Sequence, residues 1–353
     1  MNVADIENRP VAQSEIKEAE LVWADVRKLP FCIYGLFDAR NQPVFRRIPE
    51  AIAQELGSGV VGLHTNTAGG RVRFRTDSPY IAIHAEMPSA CLMPHMPLSG
   101  SAGFDLYCYE RRQCRYTGTF MPSPEKMNGY ESLIYTGMEG MRDYVINFPL
   151  YSDVTNLYIG LHRQYQVEAG THYTNDKPVV FYGSSITQGG CASRPGTCYQ
   201  NFLSRRFDMD YINLGFSGNG KAEPAIAAYM ADLEMRAFVC DYDHNAPDTD
   251  YLRNTHKALY KIIRQRRPNL PYIIISKPDF DKNPEDSRKR REIIYTSYRE
   301  AVEGGDGQVH FIDGERLFGT DERDACTVDG CHPNDLGFYR MAEAIGSVLA
   351  RVL

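Results

Sequence analysis

The amino-acid sequence predicts an α/β protein in two parts: an antiparallel β-sandwich over residues 1–172, then a three-layer α/β/α domain with a parallel sheet over 173–353. Three observations carry this. Short alternating segments between closely spaced turns fill the first part. Apolar runs, each followed by an amphipathic stretch, fill the second. Small and polar residues gather where those later runs end, the place at which open parallel sheets bind ligands.

In RVRFRTDSPYIAIHAE (71–86), Val72 and Phe74, then Ile81, Ile83 and Ala85, alternate with polar residues on either side of Asp77-Ser78-Pro79. That pattern predicts a hairpin with one buried face. Further strands are expected at 103–110, 114–120, 130–137, 142–149 and 156–161, with one helical piece from Ile48 to Leu56. After about 175 the runs PVVFYG, DYINLGF, AFVCDYD, PYIIISK and VHFIDG read as buried strands. Helices are expected over 223–234, 251–265, 287–303 and 335–353. The turn-rich segment 165–177 reads as the linker.

Composition limits the function. The chain has 353 residues, 39 Lys and Arg against 45 Asp and Glu, and a formal net charge of −6, so it offers no basic footprint for nucleic acid. The run Arg288-Lys289-Arg290-Arg291 falls in a helical pattern and reads as a solvated face. No apolar run is long enough to span a bilayer, and the first thirty residues lack the pattern of a secretory signal, so a cytoplasmic location and no membrane partner are expected. The nine cysteines are odd in number and scattered, unlike a disulfide framework or a zinc site. Cys191 and Cys198 flank one loop and Cys326 and Cys331 another, and whether either pair is bridged is left open.

Four strand ends carry the chemistry. The first ends in Gly183-Ser184-Ser185-Ile186. A serine hydroxyl needs a base and oxyanion donors to act as a nucleophile, and a strand-to-helix junction supplies the donors. Alone, the cluster fits a helix cap equally well. The second ends in NLGFSGNGK (213–221), with exposed backbone amides but neither the P-loop nor the dinucleotide spacing. The third ends in CDYDHNAP (240–247), where Asn245 brings an amide donor; Asp241 and His244 form an Asp-x-x-His spacing, open to a catalytic pair or a decoy, and Asp243 and His244 equally fit capping or turn residues. The last leads to Asp329-Gly330-Cys331-His332, a second Asp-x-x-His directly before the final helix. A histidine acting as general base needs a carboxylate to fix its tautomer.

These blocks, in this order, resemble those of the SGNH/GDSL hydrolase superfamily, whose α/β domain is flavodoxin-like. The resemblance implies Ser185 as nucleophile, His332 as general base and Asp329 as its orienting acid. It implies an oxyanion hole from the N–H groups of Ser185 and Gly218 and the Asn245 side chain. Two positions depart from the pattern: Ser184 stands where aspartate is commonest, and Asp-His-Asn replaces Gly-x-Asn-Asp in the third block. GGRVRFRTDSPYIAI and GFDLY resemble the sandwich that precedes the catalytic domain in one branch of the superfamily, which holds carbohydrate-type esterases and an acyl hydrolase/transferase. For that sandwich three roles stand open: a cap, a wall of the cleft or a glycan-binding surface.

The expected activity is hydrolysis of small acyl esters, acetyl above all, on a carbohydrate or similar polyol, without metal or organic cofactor. Alternatives are acyl transfer from the same acyl-enzyme and a non-catalytic carbohydrate-binding protein, which the 23 tyrosines would fit. An α/β-hydrolase elbow is disfavoured because Thr187 occupies its second glycine position and acid and base share one loop. Oligomeric state is not legible.

Overall fold

The computed structural model describes residues 1–7, 14–110 and 113–353. Residues 8–13 of the N-terminal segment and the 111–112 turn between two expected strands lie outside them. The chain forms two compact units. One comprises Met1–Arg47, Thr65–Tyr173 and Ser193–Gly196; the other comprises Ile48–His64, Thr174–Ala192 and Thr197–Leu353.

The first unit is a β-sandwich. Its strands are β1 (Leu21–Asp25), β2 (Cys32–Tyr34), β3 (Arg71–Thr76), β4 (Tyr80–Glu86), β5 (Phe104–Glu110), β6 (Gln113–Phe120), β7 (Gly129–Tyr135), β8 (Arg142–Asn147), β9 (Asn156–His162) and β10 (Val167–Ala169). Among the described residues one sheet runs β1-β9-β4-β7 and the other β10-β3-β8-β5-β6, with β2 also paired to β3. All these pairings are antiparallel.

The expected 71–86 hairpin does not form. β3 pairs with β2, β8 and β10, whereas β4 pairs with β7 and β9, so Asp77-Ser78-Pro79 carries the chain from one sheet to the other. Val72 and Phe74 then share the inter-sheet core with Ile81, Ile83 and Ala85. Period-two alternation states which face is buried but not which strand lies alongside. The expected linker is also largely regular: Val167–Ala169 is β10, and the next strand opens at Asn175.

Two short helices, α1 (Glu50–Leu56) and α2 (Ser58–Val61), follow β2 in sequence but belong to the second unit. Ile48, Ala53 and Val60 are buried in that unit's core, which corrects the assignment of residues 48–64 to the sandwich. Helix α3 (Leu98–Ser101) stays with the sandwich. So does Ser193–Gly196: the buried Asp105 of GFDLY accepts the Gly196 N–H at 2.7 Å and lies 3.6 Å from the Arg194 guanidinium.

In the second unit five parallel strands, β11 (Asn175–Gly183), β12 (Met209–Gly215), β13 (Ala237–Asp241), β14 (Tyr272–Ile275) and β15 (Val309–Ile312), run in the order β12-β11-β13-β14-β15. The helices are α4 (Ser185–Gln188), α5 (Tyr199–Phe207), α6 (Pro224–Asp232), α7 (Thr249–Arg266), α8 (Pro284–Glu303) and α9 (Asp335–Leu349). Val180, Tyr182, Phe238, Cys240, Tyr272 and Ile274 pack in one core with residues of α6, α7 and α8. Phe181, on the opposite face, meets Tyr199 of α5, which meets Phe338 of α9. Burial on both faces is why these strands read as unbroken apolar runs. The strand order reverses between β11 and its two neighbours, so the crevice of this doubly wound sheet opens at Gly183, paired to Gly215 on one side and Asp241 on the other.

Candidate active site

Ser185 is the first residue of α4, directly after β11. Ser184 caps that helix: its hydroxyl accepts the Ile186 N–H at 3.1 Å, which is how a serine replaces the commoner aspartate. Gly183 cannot carry a side chain, since a Cβ there would lie 2.1 Å from Thr187 Oγ1 and 2.3 Å from the Asp241 carbonyl oxygen. The β12 loop is tied to the same corner. Phe216 N–H donates to the Gly183 carbonyl and Ser217 N–H to the Gln188 side chain, at 2.9 and 3.0 Å.

The loop before α9 brings the imidazole. Ser185 Oγ lies 2.9 Å from His332 Nε2, and His332 Nδ1 lies 2.8 Å from Asp329 Oδ2. The other carboxylate oxygen, Asp329 Oδ1, accepts the backbone N–H groups of Cys331 and His332 at 2.9 and 2.8 Å, a local turn that fixes the aspartate relative to the ring. The loop is anchored at both ends. Cys191 N–H donates to the Pro333 carbonyl at 2.9 Å, and Asn334 caps α9 by accepting from Leu336 and Gly337. Partial burial pushes the Asp329 carboxyl up, but hydrogen bonds from the His332 ring and from the backbone outweigh it and bring it down to about 2.

The third strand end is closed by the one-turn helix Asp243–Asn245. Asn245 Nδ2 donates to the Phe216 carbonyl at 2.9 Å, which joins this loop to the β12 loop. Gly218 stands at the exposed tip of the β12 loop with φ +70°, a left-handed conformation that favours glycine. The Asp241 and His244 side chains take separate partners. Asp241 Oδ2 accepts from Thr187 Oγ1 at 3.3 Å, while His244 Nε2 lies 2.6 Å from Asp279 Oδ1. Burial, then the neighbouring Asp243, holds the Asp241 carboxyl well above the ordinary carboxylate range. The decoy is therefore two unrelated groups.

No disulfide joins the cysteines of the described residues. Burial, with Asp329 next, pushes the Cys191 thiol up to about 12, and burial with Asp279 and Asp329 does the same for Cys331, so neither is poised as a thiolate. His244, Asp279 and Cys331 bring ligand-type atoms within 4.8 Å of one another, as do Asp329, Cys331 and His332. In both groups a histidine nitrogen is already spent on an aspartate.

Sequence reasoning missed Gln188, Asp279 and Arg290. Gln188, three residues after Ser185, had no motif to mark it. Arg290 is corrected outright: it is buried, not part of a solvated face, and donates to the carbonyls of Asp243 and Ala246. Its Asp286 partner at the i, i+4 spacing reads in sequence as an ordinary helix ion pair and gives no sign of that burial.

The sheet order β12-β11-β13-β14-β15, with a hydrogen-bonded Ser–His–Asp series at its switch point, defines a three-layer α/β protein of the flavodoxin topology. Residues 176–350 match the profile of the GDSL-like lipase/acylhydrolase family, and residues 21–167 match that of the N-terminal domain of SGNH-hydrolase-type esterases. The chain belongs to this family of SGNH/GDSL enzymes with a GxDLY N-terminal domain, and it is a carboxylic ester hydrolase. No curated protein matches its sequence. Among solved structures it is similar to a Bacteroides ovatus protein assigned as a GDSL-like lipase, at 28% identity and TM-score 0.85 over 94% of this chain and 98% of that one. A salicylyl-acyltransferase from a tetracycline biosynthetic pathway shares the fold at 21% identity and TM-score 0.77, over 95% and 98% of the chains. An acetyl xylan esterase of the rumen bacterium Butyrivibrio proteoclasticus shares it at 12% identity and TM-score 0.58, over 94% and 98%.

Proposed function

We propose that the chain hydrolyses small acyl esters, acetyl esters of a sugar or similar polyol in particular, through an acyl-enzyme on Ser185. The observation that carries this is the series Ser185 Oγ–His332 Nε2 and His332 Nδ1–Asp329 Oδ2, at 2.9 and 2.8 Å. With Asp329 ionised, Nδ1 keeps the ring proton and donates a hydrogen bond through it to the carboxylate, which stays ionised. Nε2 is then the acceptor and takes the Ser185 proton as Oγ bonds to the ester carbonyl carbon. The resulting imidazolium returns that proton to the departing alcohol oxygen as the carbon–oxygen bond breaks. Water repeats the cycle: it gives a proton to Nε2, bonds to the acyl carbon and releases the acid, and Ser185 Oγ recovers its proton.

The negative charge on the former carbonyl oxygen falls to the N–H groups of Ser185 and Gly218 and the second amide hydrogen of Asn245. The first is reserved by Phe216. Ser185 N–H is placed in this role by its position at the start of α4, directly after β11. The acetyl xylan esterase of the same fold supports the short acyl group and polyol. Transfer to an alcohol uses the same intermediate, and the salicylyl-acyltransferase makes it the second reading.

A p-nitrophenyl ester series of increasing acyl length, run on wild type and Ser185→Ala, tests the proposal. The acetyl ester should turn over fastest and Ser185→Ala should be inactive. Preference for long chains would refute the acyl class, and retained activity in Ser185→Ala would refute the nucleophile. Product analysis with an added polyol separates hydrolysis from transfer.

A further inference from the structure

Arg290 lies on α8, 45 positions after Asn245 in sequence, yet it is only 8% exposed. Its Nη1 donates to the Asp243 carbonyl at 2.8 Å and to the Ala246 carbonyl at 3.1 Å, the two residues that bracket His244 and Asn245. Its Nε donates to Asp286 Oδ2 at 2.8 Å, one turn earlier on the same helix, which sets the guanidinium plane. Asp286 is in turn 3.5 Å from Lys277 Nζ. The Lys277 N–H donates to Asp243 Oδ2 at 3.1 Å, and Asp279 pairs with His244. Every residue from Asp243 to Ala246 is therefore held by a side chain or a backbone group.

We infer that Arg290 is a positioning residue that holds the Asp243–Asn245 turn so that the Asn245 amide faces the developing oxyanion. This rests on the reading of Asn245 as an oxyanion donor. The physical case is that a one-turn helix has too few hydrogen bonds of its own to fix an angle: here Asn245 N–H to Tyr242 and Ala246 N–H to Asp243, at 2.9 and 3.2 Å. An oxyanion donor displaced by about 1 Å loses much of its effect. A single Nη1 shared between two carbonyls, on a guanidinium whose plane is set by the Nε bond to Asp286, supplies the missing constraint, and a lysine, a flexible point charge without that second anchor, reproduces it only in part.

The test measures kcat and KM with p-nitrophenyl acetate for Arg290→Met, Arg290→Lys, Asn245→Ala and the Arg290→Met/Asn245→Ala pair, with thermal unfolding of each. Asn245→Ala should lower kcat on the order of 10²-fold. Arg290→Met should lower kcat roughly tenfold or more with KM within about twofold, because the loss is confined to the transition state. Arg290→Lys should recover part of that loss. In the Asn245→Ala background Arg290→Met should cost nothing further, since its target is gone. Losses that multiply in the pair, or a fall in stability with kcat unchanged, would overturn the inference. Should Arg290→Met fail to fold, Arg290→Lys with and without Asn245→Ala decides by the same criterion. An unchanged kcat in Asn245→Ala beside an inactive Ser185→Ala would instead overturn the donor reading itself, leaving the nucleophile intact.

Discussion

The loop closing β13 and the loop before α9 each hold a histidine against an aspartate, and they spend the ring differently. His332 and Asp329 are three residues apart and partly open, with side chains 23% and 37% exposed. His244 and Asp279 come from separate strand ends and are shut in at 15% and 4%. In the open pair the carboxylate takes Nδ1 and leaves Nε2 to the Ser185 hydroxyl. In the buried pair the carboxylate faces Nε2 itself, 2.6 Å away, and that contact ties the loop that carries Asn245 to the loop after β14. Proximity of an acid to an imidazole thus describes both. Which nitrogen is taken, and what stands at the other, separates the pair proposed for proton transfer from a structural tie.

Breaking the open pair should have the largest effect. Asp329→Asn should lower kcat by roughly 10³- to 10⁴-fold, the scale seen when the orienting aspartate of a serine protease is made neutral, with thermal stability little changed. The acid side of the rate profile sharpens the same point. With its carboxyl down at about 2, Asp329 stays ionised across the working range, so the fall of kcat/KM on acidification should show no inflection between about 2 and the ordinary carboxylate range near 4 that Asp329→Asn removes. Its depressed value adds stability that is present above that ordinary range and is lost as pH falls through about 2. The contribution is small because the group is exposed.

Breaking the buried pair should reverse the balance. Asp279→Asn should cost less than about tenfold in kcat but lower the melting temperature measurably, because it leaves a buried imidazole without its ion partner. A loss as large as that of Asp329→Asn would erase the distinction drawn above. The smallest effect concerns Asp241. Its carboxyl is raised by burial, so wild type keeps that stability below the ordinary carboxylate range and loses it as pH climbs towards the raised value. Asp241→Asn keeps an acceptor for Thr187 and has no such slope, so the stability of wild type relative to the variant should fall as pH rises from 4 to 9 in thermal unfolding. A flat difference would mean that the acid is not buried as described.

The parallel sheet was the more legible half. VVFYG and YIIIS are buried on both faces, and that double burial writes itself into composition. The sandwich was less so: the alternation at 71–86 marked inward residues correctly but could not tell a hairpin from a crossing between sheets, because partner choice is a long-range property. LVWAD and VEA are too short to signal β1 and β10. In the site, the short-range features were readable: a serine after a strand, and an aspartate three residues before a histidine. Arg290 was not, since a buried guanidinium on carbonyls some 45 residues away looks in sequence like any other charge on a helix.

The central claim is that the Ser185 oxygen carries the acyl group. A fluorophosphonate, which forms a stable bond to an activated serine, tests it most directly when the labelled protein is digested and the modified residue located by mass spectrometry. A single adduct on Ser185, lost in His332→Ala and formed normally in Asp279→Asn, is the expected result. An adduct on another residue, or ester turnover that survives complete labelling of Ser185, would contradict it.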